Sequence, residues 1–81
     1  MSKLEELFEV CKKHGVDFSY NAFTQELEVR KFLKDATGEF HSIYDSYVYL
    51  SASEKTEDEL IQELIRFIQE KENLEEEKEE Q

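Results

Sequence analysis

The sequence predicts an α+β domain of order α-β-β-β-α, with a three-stranded antiparallel sheet and both helices packed on one face. Two capping boxes, Ser2–Glu5 and Thr56–Glu59, each open a run of apolar residues at helical spacing. Between them, apolar and polar residues alternate in the period-two pattern of half-buried strands. The intervening turns are of hairpin length, which makes neighbouring strands antiparallel. Each helix carries a single apolar stripe, so both must cover the same side of the sheet.

The first helix begins at "SKLE", where Ser2 caps and Glu5 answers. Leu4, Leu7, Phe8 and Cys11 follow at i, i+3, i+4 and i+7 and are expected to form its buried stripe. Lys12, Lys13 and His14 suit the negative end of the helix dipole, and Gly15 supplies the left-handed stop. Val16, Phe18 and Tyr20 then alternate with Asp17 and Ser19 as a first strand. Asn21 to Gln25 form a polar turn interrupted by Phe23. In the second strand Leu27 and Val29 face one way, Glu28 and Arg30 the other. The stretch "RKFLK" breaks this alternation, because Phe32 and Leu33 are adjacent; either the strand bulges there or both faces are partly covered. Asp35 to Gly38 is a turn signal. The third strand, from about residue 39 to 50, exceeds the usual length, so a break or bulge near Asp45–Ser46 is expected, with a short fourth strand as the alternative.

Thr56 opens the last helix, and acidic Glu57 and Asp58 suit its positive end. Ile61, Leu64, Ile65 and Ile68 form its stripe, flanked by Leu60 and Phe67. Beyond Lys71 only Leu74 is apolar, so the helix should fray there. The organisation predicted is one α+β domain over residues 1–72 and an acidic, disordered tail over 73–81.

Charge narrows the function. The net charge is −11 in 81 residues, and it is unevenly placed. Residues 1–35 hold 6 Lys+Arg against 7 Asp+Glu, a net of −1; residues 36–81 hold 4 against 14, a net of −10. Such a chain is unsuited to direct contact with nucleic acid or anionic membrane, which recruit basic residues. A partner drawn by charge would be basic and would meet the C-terminal half. The same charge would also serve solubility alone. One cysteine, no continuous apolar leader and no run near ~20 apolar residues make the cytoplasm the expected compartment.

Residues able to support catalysis are sparse. Cys11 and His14 share a helix face, but a zinc site needs further ligands and only His41 and scattered carboxylates remain. Cys11 also falls on the apolar stripe, where a small core thiol is the ordinary occupant. With only Gly15 and Gly38, no glycine-rich phosphate loop can form. The expectation is a protein without catalytic residues, metal or cofactor.

The element order resembles the double-stranded RNA-binding domain. That family holds phosphates with a basic cluster at the start of its second helix, whereas the matching "KTEDEL" has only Lys55. The loop "NAFTQ" also lacks the family's Gly-Pro-x-His pattern. Arg30, Lys31 and Lys34 form only a modest positive strip, and RNA binding is rejected. The layout is also similar to that of small acidic bacteriophage host-takeover proteins, including inhibitors of CRISPR nucleases: a short opening helix, a three-strand meander and acidic helical ends. No shared motif carries residue roles across. The resemblance implies a phage or mobile-element protein, acting in the host cytoplasm, whose carboxylates imitate phosphates in a basic groove of its target.

Duplex DNA presents one charge per strand about every 3.4 Å of its axis, and side chains three or four apart on a helix lie about 5–6 Å apart. Glu59, Glu63, Glu70 and Glu77 provide such steps with gaps, and Glu72, Glu76 and Glu80 a regular row if the helix continues. The reading is a non-enzymatic protein-binding module that blocks a basic, nucleic-acid-binding host protein by charge mimicry. Its expected contact residues are Glu57, Asp58, Glu59, Glu63, Glu70, Glu72 and Glu76, with Tyr44, Tyr47 and Tyr49 as anchors on an open sheet face. Two alternatives stand beside it: a structural protein that self-associates through that face, as a homodimer for example, and an antitoxin-like neutraliser of a basic toxin.

Overall fold

The computed structural model describes residues 2–51 and 54–80, except for the side chains of residues 74–80. Five elements follow in the expected order: α1 (Lys3–His14), β1 (Asp17–Asn21), β2 (Glu26–Lys34), β3 (Phe40–Tyr49) and α2 (Glu57–Glu80). The strands form one antiparallel sheet with β2 in the centre. Leu7 and Cys11 of α1 share a core with Leu27, Val29 and Tyr44 of the sheet and Ile61, Leu64, Ile65 and Ile68 of α2. Both helices therefore cover one face of the sheet.

Local chemistry fixes the element ends. Ser2 Oγ accepts the Glu5 backbone N–H at 3.2 Å, and Thr56 Oγ1 accepts that of Glu59 at 3.2 Å. In each box the glutamate carboxylate accepts the capping hydroxyl in return. Gly15 ends α1 at φ 66°, a left-handed conformation that a side chain disfavours. Between β1 and β2, Asn21 Oδ1 accepts the backbone N–H groups of Phe23 and Thr24. Between β2 and β3, Asp35 Oδ1 accepts those of Thr37 and Glu39, and Gly38 turns the chain at φ 90°.

Pairing assigns the faces. Tyr20–Leu27–Val48 and Phe18–Val29–Ser46 are cross-strand rows beneath the helices. Asn21–Glu26–Tyr49, Ser19–Glu28–Tyr47 and Asp17–Arg30–Asp45 face away from them. The register shifts between Lys31 and Phe32: Lys31 pairs with Tyr44 and Phe32 with Ser42, so Ile43 has no residue opposite it. The irregularity thus falls in "RKFLK", as the alternation suggested. β3 runs unbroken through Asp45–Ser46; of the break or bulge expected there, the strand carries a bulge, two residues earlier at Ile43.

Two further expectations are corrected. The buried side of α1 is Leu7 and Cys11 with Val10, whereas Leu4 and Phe8 remain largely exposed. The helix is rotated so that His14 also turns inward, towards α2. α2 does not stop near Lys71 but continues as helix to Glu80. No Pro or Gly follows Thr56, and Glu and Lys are good helix formers, so nothing local breaks it.

Candidate functional site

The exposed carboxylates concentrate on α2. Glu57, Asp58 and Glu59 occupy its first turn, where the dipole favours them, and all three are exposed. Glu63 is half-buried and pairs with Lys55, and Glu70 is exposed. Glu59, Glu63 and Glu70 lie opposite the buried stripe of Leu64 and Ile68, so they form one outward acidic line. The line is interrupted by Arg66 on the same face. Glu59 to Glu63 spans about 6 Å and Glu63 to Glu70 about 10 Å of helix axis. The spacing is an open, partial match to a phosphate row.

Glu72 does not belong to that surface. It is only 6% exposed and turns inward over the sheet. The 3.6-residue period places it on the stripe of Ile61, Leu64, Ile65 and Ile68 rather than opposite it. There it pairs with Lys31 of β2, accepts the Tyr44 hydroxyl at 3.2 Å and lies 3.7 Å from His14 Nδ1. Burial alone would raise its pKa. The Lys31 ammonium, the Tyr44 hydroxyl and the His14 ring outweigh burial and hold it below the ordinary carboxylate range. Glu72 is thus a clamp between helix and sheet, and the row Glu72–Glu76–Glu80 does not begin at the surface. The side chain of Glu76, like those of Glu77 and Glu80, lies outside the described residues.

The tyrosines divide in the same way. Tyr44 is 8% exposed, packs edge-to-face on Phe67 with ring centroids 5.6 Å apart, and is not a surface anchor. Tyr47 and Tyr49 are exposed and contact each other edge-to-face at 5.4 Å. They sit on the sheet face opposite α2, so one flat partner surface cannot meet them and the acidic line together. The register explains the division: Tyr44 opposes Lys31 beneath the helices, and Tyr47 opposes Glu28 on the far side. On that far face Arg30 donates to Glu28 at 2.9 Å and Asp45 at 3.3 Å. The neighbouring Asp45 carboxyl is the chief reason the Glu28 pKa is raised. The expected positive strip is accordingly split. Arg30 is held among acids on the open face, and Lys31 is under α2.

Two other groups of side chains carry atoms suited to chemistry. Asp35, Glu39 and His41, at the β2–β3 turn, place one ligand atom each within 4.8 Å of one another, and all three are exposed. The Thr37 hydroxyl and His41 bind Asp35 and, with backbone N–H groups, lower its pKa to about 2. This set is the turn's own hydrogen-bond network and offers three donors to an ion. Cys11 is buried, and burial with nearby Asp17 raises its pKa to about 11, so it is a neutral core thiol at physiological pH. Among the described residues, no helix is long and apolar enough to cross a membrane.

The sequence reading did not identify an apolar groove at the N-terminal ends of the two helices. Leu4, Phe18, Tyr20 and Leu50 line it, Glu57 and Asp58 stand on its rim, and its volume is about 480 Å³. The available signal was the surplus of apolar residues on α1: Leu4 and Phe8 are more than a helix so short can bury. No protein-family model matches the chain, and neither does any curated protein sequence or solved structure compared with it.

Proposed function

We propose that the chain is a non-enzymatic acidic binding module that occludes a basic, nucleic-acid-binding surface of a partner protein. The observation that carries this reading is the outward acidic line of α2, Glu59, Glu63 and Glu70, held on a folded and anchored helix. A line fixed before binding loses little conformational entropy on docking, and opposite charge speeds encounter. A phage or mobile-element origin, with action in the host cytoplasm, fits the same layout. The test is capture of basic nucleic-acid-handling proteins from a bacterial lysate by the full chain, at about 50 and 200 mM salt. The comparison is a variant carrying Glu59→Gln and Glu70→Gln. The expected result is capture at low salt, release at high salt, competition by duplex DNA or RNA, and loss in the variant. Capture that ignores both salt and the two substitutions overturns the reading. Truncation at Lys71 is the wrong comparison, because it also removes the Glu72 clamp.

A second reading has its own observation. Phe32, Phe40, Tyr47 and Tyr49 are all exposed on the open sheet face. A second copy of the chain would bury them, and sedimentation at rising concentration detects it.

A further inference from the structure

We infer that the free edge of β1 and the groove beside it take an extended partner segment with an apolar face and flanking lysine or arginine. The inference rests on the reading of the chain as an acidic binding module and adds the surface and the peptide chemistry. β1 is an outer strand, hydrogen-bonded to β2 alone, so one row of its backbone N–H and C=O groups lies outside the sheet. Edge strands are commonly blunted by Lys or Pro, and "DFSYN" contains neither. Four of its five residues are exposed.

The side chains beside this edge are apolar. Phe18 and Tyr20 lie on the helix side of β1, and the Phe8 ring sits 4.8 Å from that of Phe18. Leu4 and Phe8 stay exposed on the neighbouring turns of α1. The groove continues from Phe18 and Tyr20 to a floor of Leu27 and Ile61, both in the core. A strand added to β1 would place every second side chain on this helix side, the spacing at which strand addition reads sequence.

Charge selects the occupant. Glu57 and Asp58 stand on the groove rim, both exposed and, among the described residues, without an ion-pair partner. The one cation on the rim, Lys3, is already engaged: its Nζ lies 3.0 Å from Glu6 and donates to Gln62 at 2.7 Å. The rim therefore presents net negative charge to whatever enters. An apolar segment with basic flanks fits this surface, and an acidic segment does not.

The probe is a capped synthetic peptide with a threonine–valine core between lysine flanks, with its glutamate-flanked counterpart as control. It is titrated into the isotope-labelled full chain and followed by amide chemical shifts. The expected result is binding of the lysine peptide only, with shifts centred on residues 17–21, Leu4, Phe8, Glu57 and Asp58. Tyr20→Lys, at an exposed position, should weaken binding about tenfold by removing a ring that the peptide covers and opposing the peptide's charge. Leu4→Gln should act in the same direction, and Glu9→Gln, at an exposed position of α1 outside the groove, should change nothing. N-methylation of alternate peptide residues should abolish binding in one phase of the alternation and spare it in the other. Equal binding of both peptides, shifts centred on the outer face of α2, or indifference to both groove substitutions would overturn the inference. If the groove stays empty while the lysate experiment succeeds through Glu59 and Glu70, this inference fails alone. Failure of both removes the binding-module reading as well.

Discussion

Replacing Glu72 by methionine tests the clamp between α2 and the sheet. The substitution keeps the length of the side chain and removes only its charge and acceptors. It strands the Lys31 ammonium, whose side chain is 16% exposed, and takes an acceptor from the Tyr44 hydroxyl. Breaking a buried ion pair from one side costs about 3–5 kcal/mol. Lys31 keeps a narrow path to water, so the lower end, about 3 kcal/mol, is expected. Total stability for a domain of this length is on the order of 4–12 kcal/mol. The midpoint of thermal unfolding should therefore fall by roughly 12–24 °C. Urea denaturation followed by circular dichroism gives the value at neutral pH, with exposed Glu70→Met as the reference, expected within about 0.5 kcal/mol of the parent. The double variant Lys31→Met/Glu72→Met should recover most of the loss, since a packed apolar pair often replaces a buried ion pair at no net cost. A Glu72→Met loss no larger than that of Glu70→Met, or a double variant that loses the sum of the singles, refutes the clamp.

The same group sets an acid limit. The native pKa of Glu72 is lowered, so its stabilisation is complete above the unfolded value, about 4.3, and is lost as pH falls through the native value beneath it. The stability gap between the parent and Glu72→Met should close over that range in urea titrations. The Cys11 thiol, with its pKa raised to about 11, should stay silent to a thiol reagent near pH 8 until the chain is unfolded, and stability should decline as pH rises above about 8.5. Thr56→Ala removes the acceptor for the Glu59 N–H and should cost about 1 kcal/mol, read from the same denaturation curves. A fully buried Ile68 trimmed to alanine should cost about 2–5 kcal/mol.

What the sequence revealed was mostly local. Both capping boxes, the Gly15 stop and the Asp35–Gly38 turn depend on residues within four positions of one another, and each formed as read. The break in alternation at "RKFLK" also marked a real irregularity, though not which strand carried the extra residue. Glu72 was misread because its partner, Lys31, is 41 residues away, and a glutamate in an acidic stretch looks solvated. Helical phase held the answer: Glu72 is four residues beyond Ile68, on the buried stripe. Tyr44 was misread with it, since neither face of an isolated strand says which one a helix will cover. Leu4 and Phe8 obeyed the spacing rule and still stayed outside, because α1 turned Val10 and Cys11 inward to meet α2.

The unopposed Ile43 has a bearing on how this chain tolerates insertions and deletions. Removing one residue from a regular strand exchanges inside for outside along everything beyond it. In β3 that would follow from deleting Ser46, which would turn Tyr44 towards solvent or Tyr47 beneath the helices. Ile43 is different, because it is the residue without a counterpart. Its loss would bring Ser42 next to Tyr44 just as Phe32 is next to Lys31, restoring even parity on both sides. A deletion scan along β3, scored by soluble folded yield, should show one tolerant position in a row of intolerant ones.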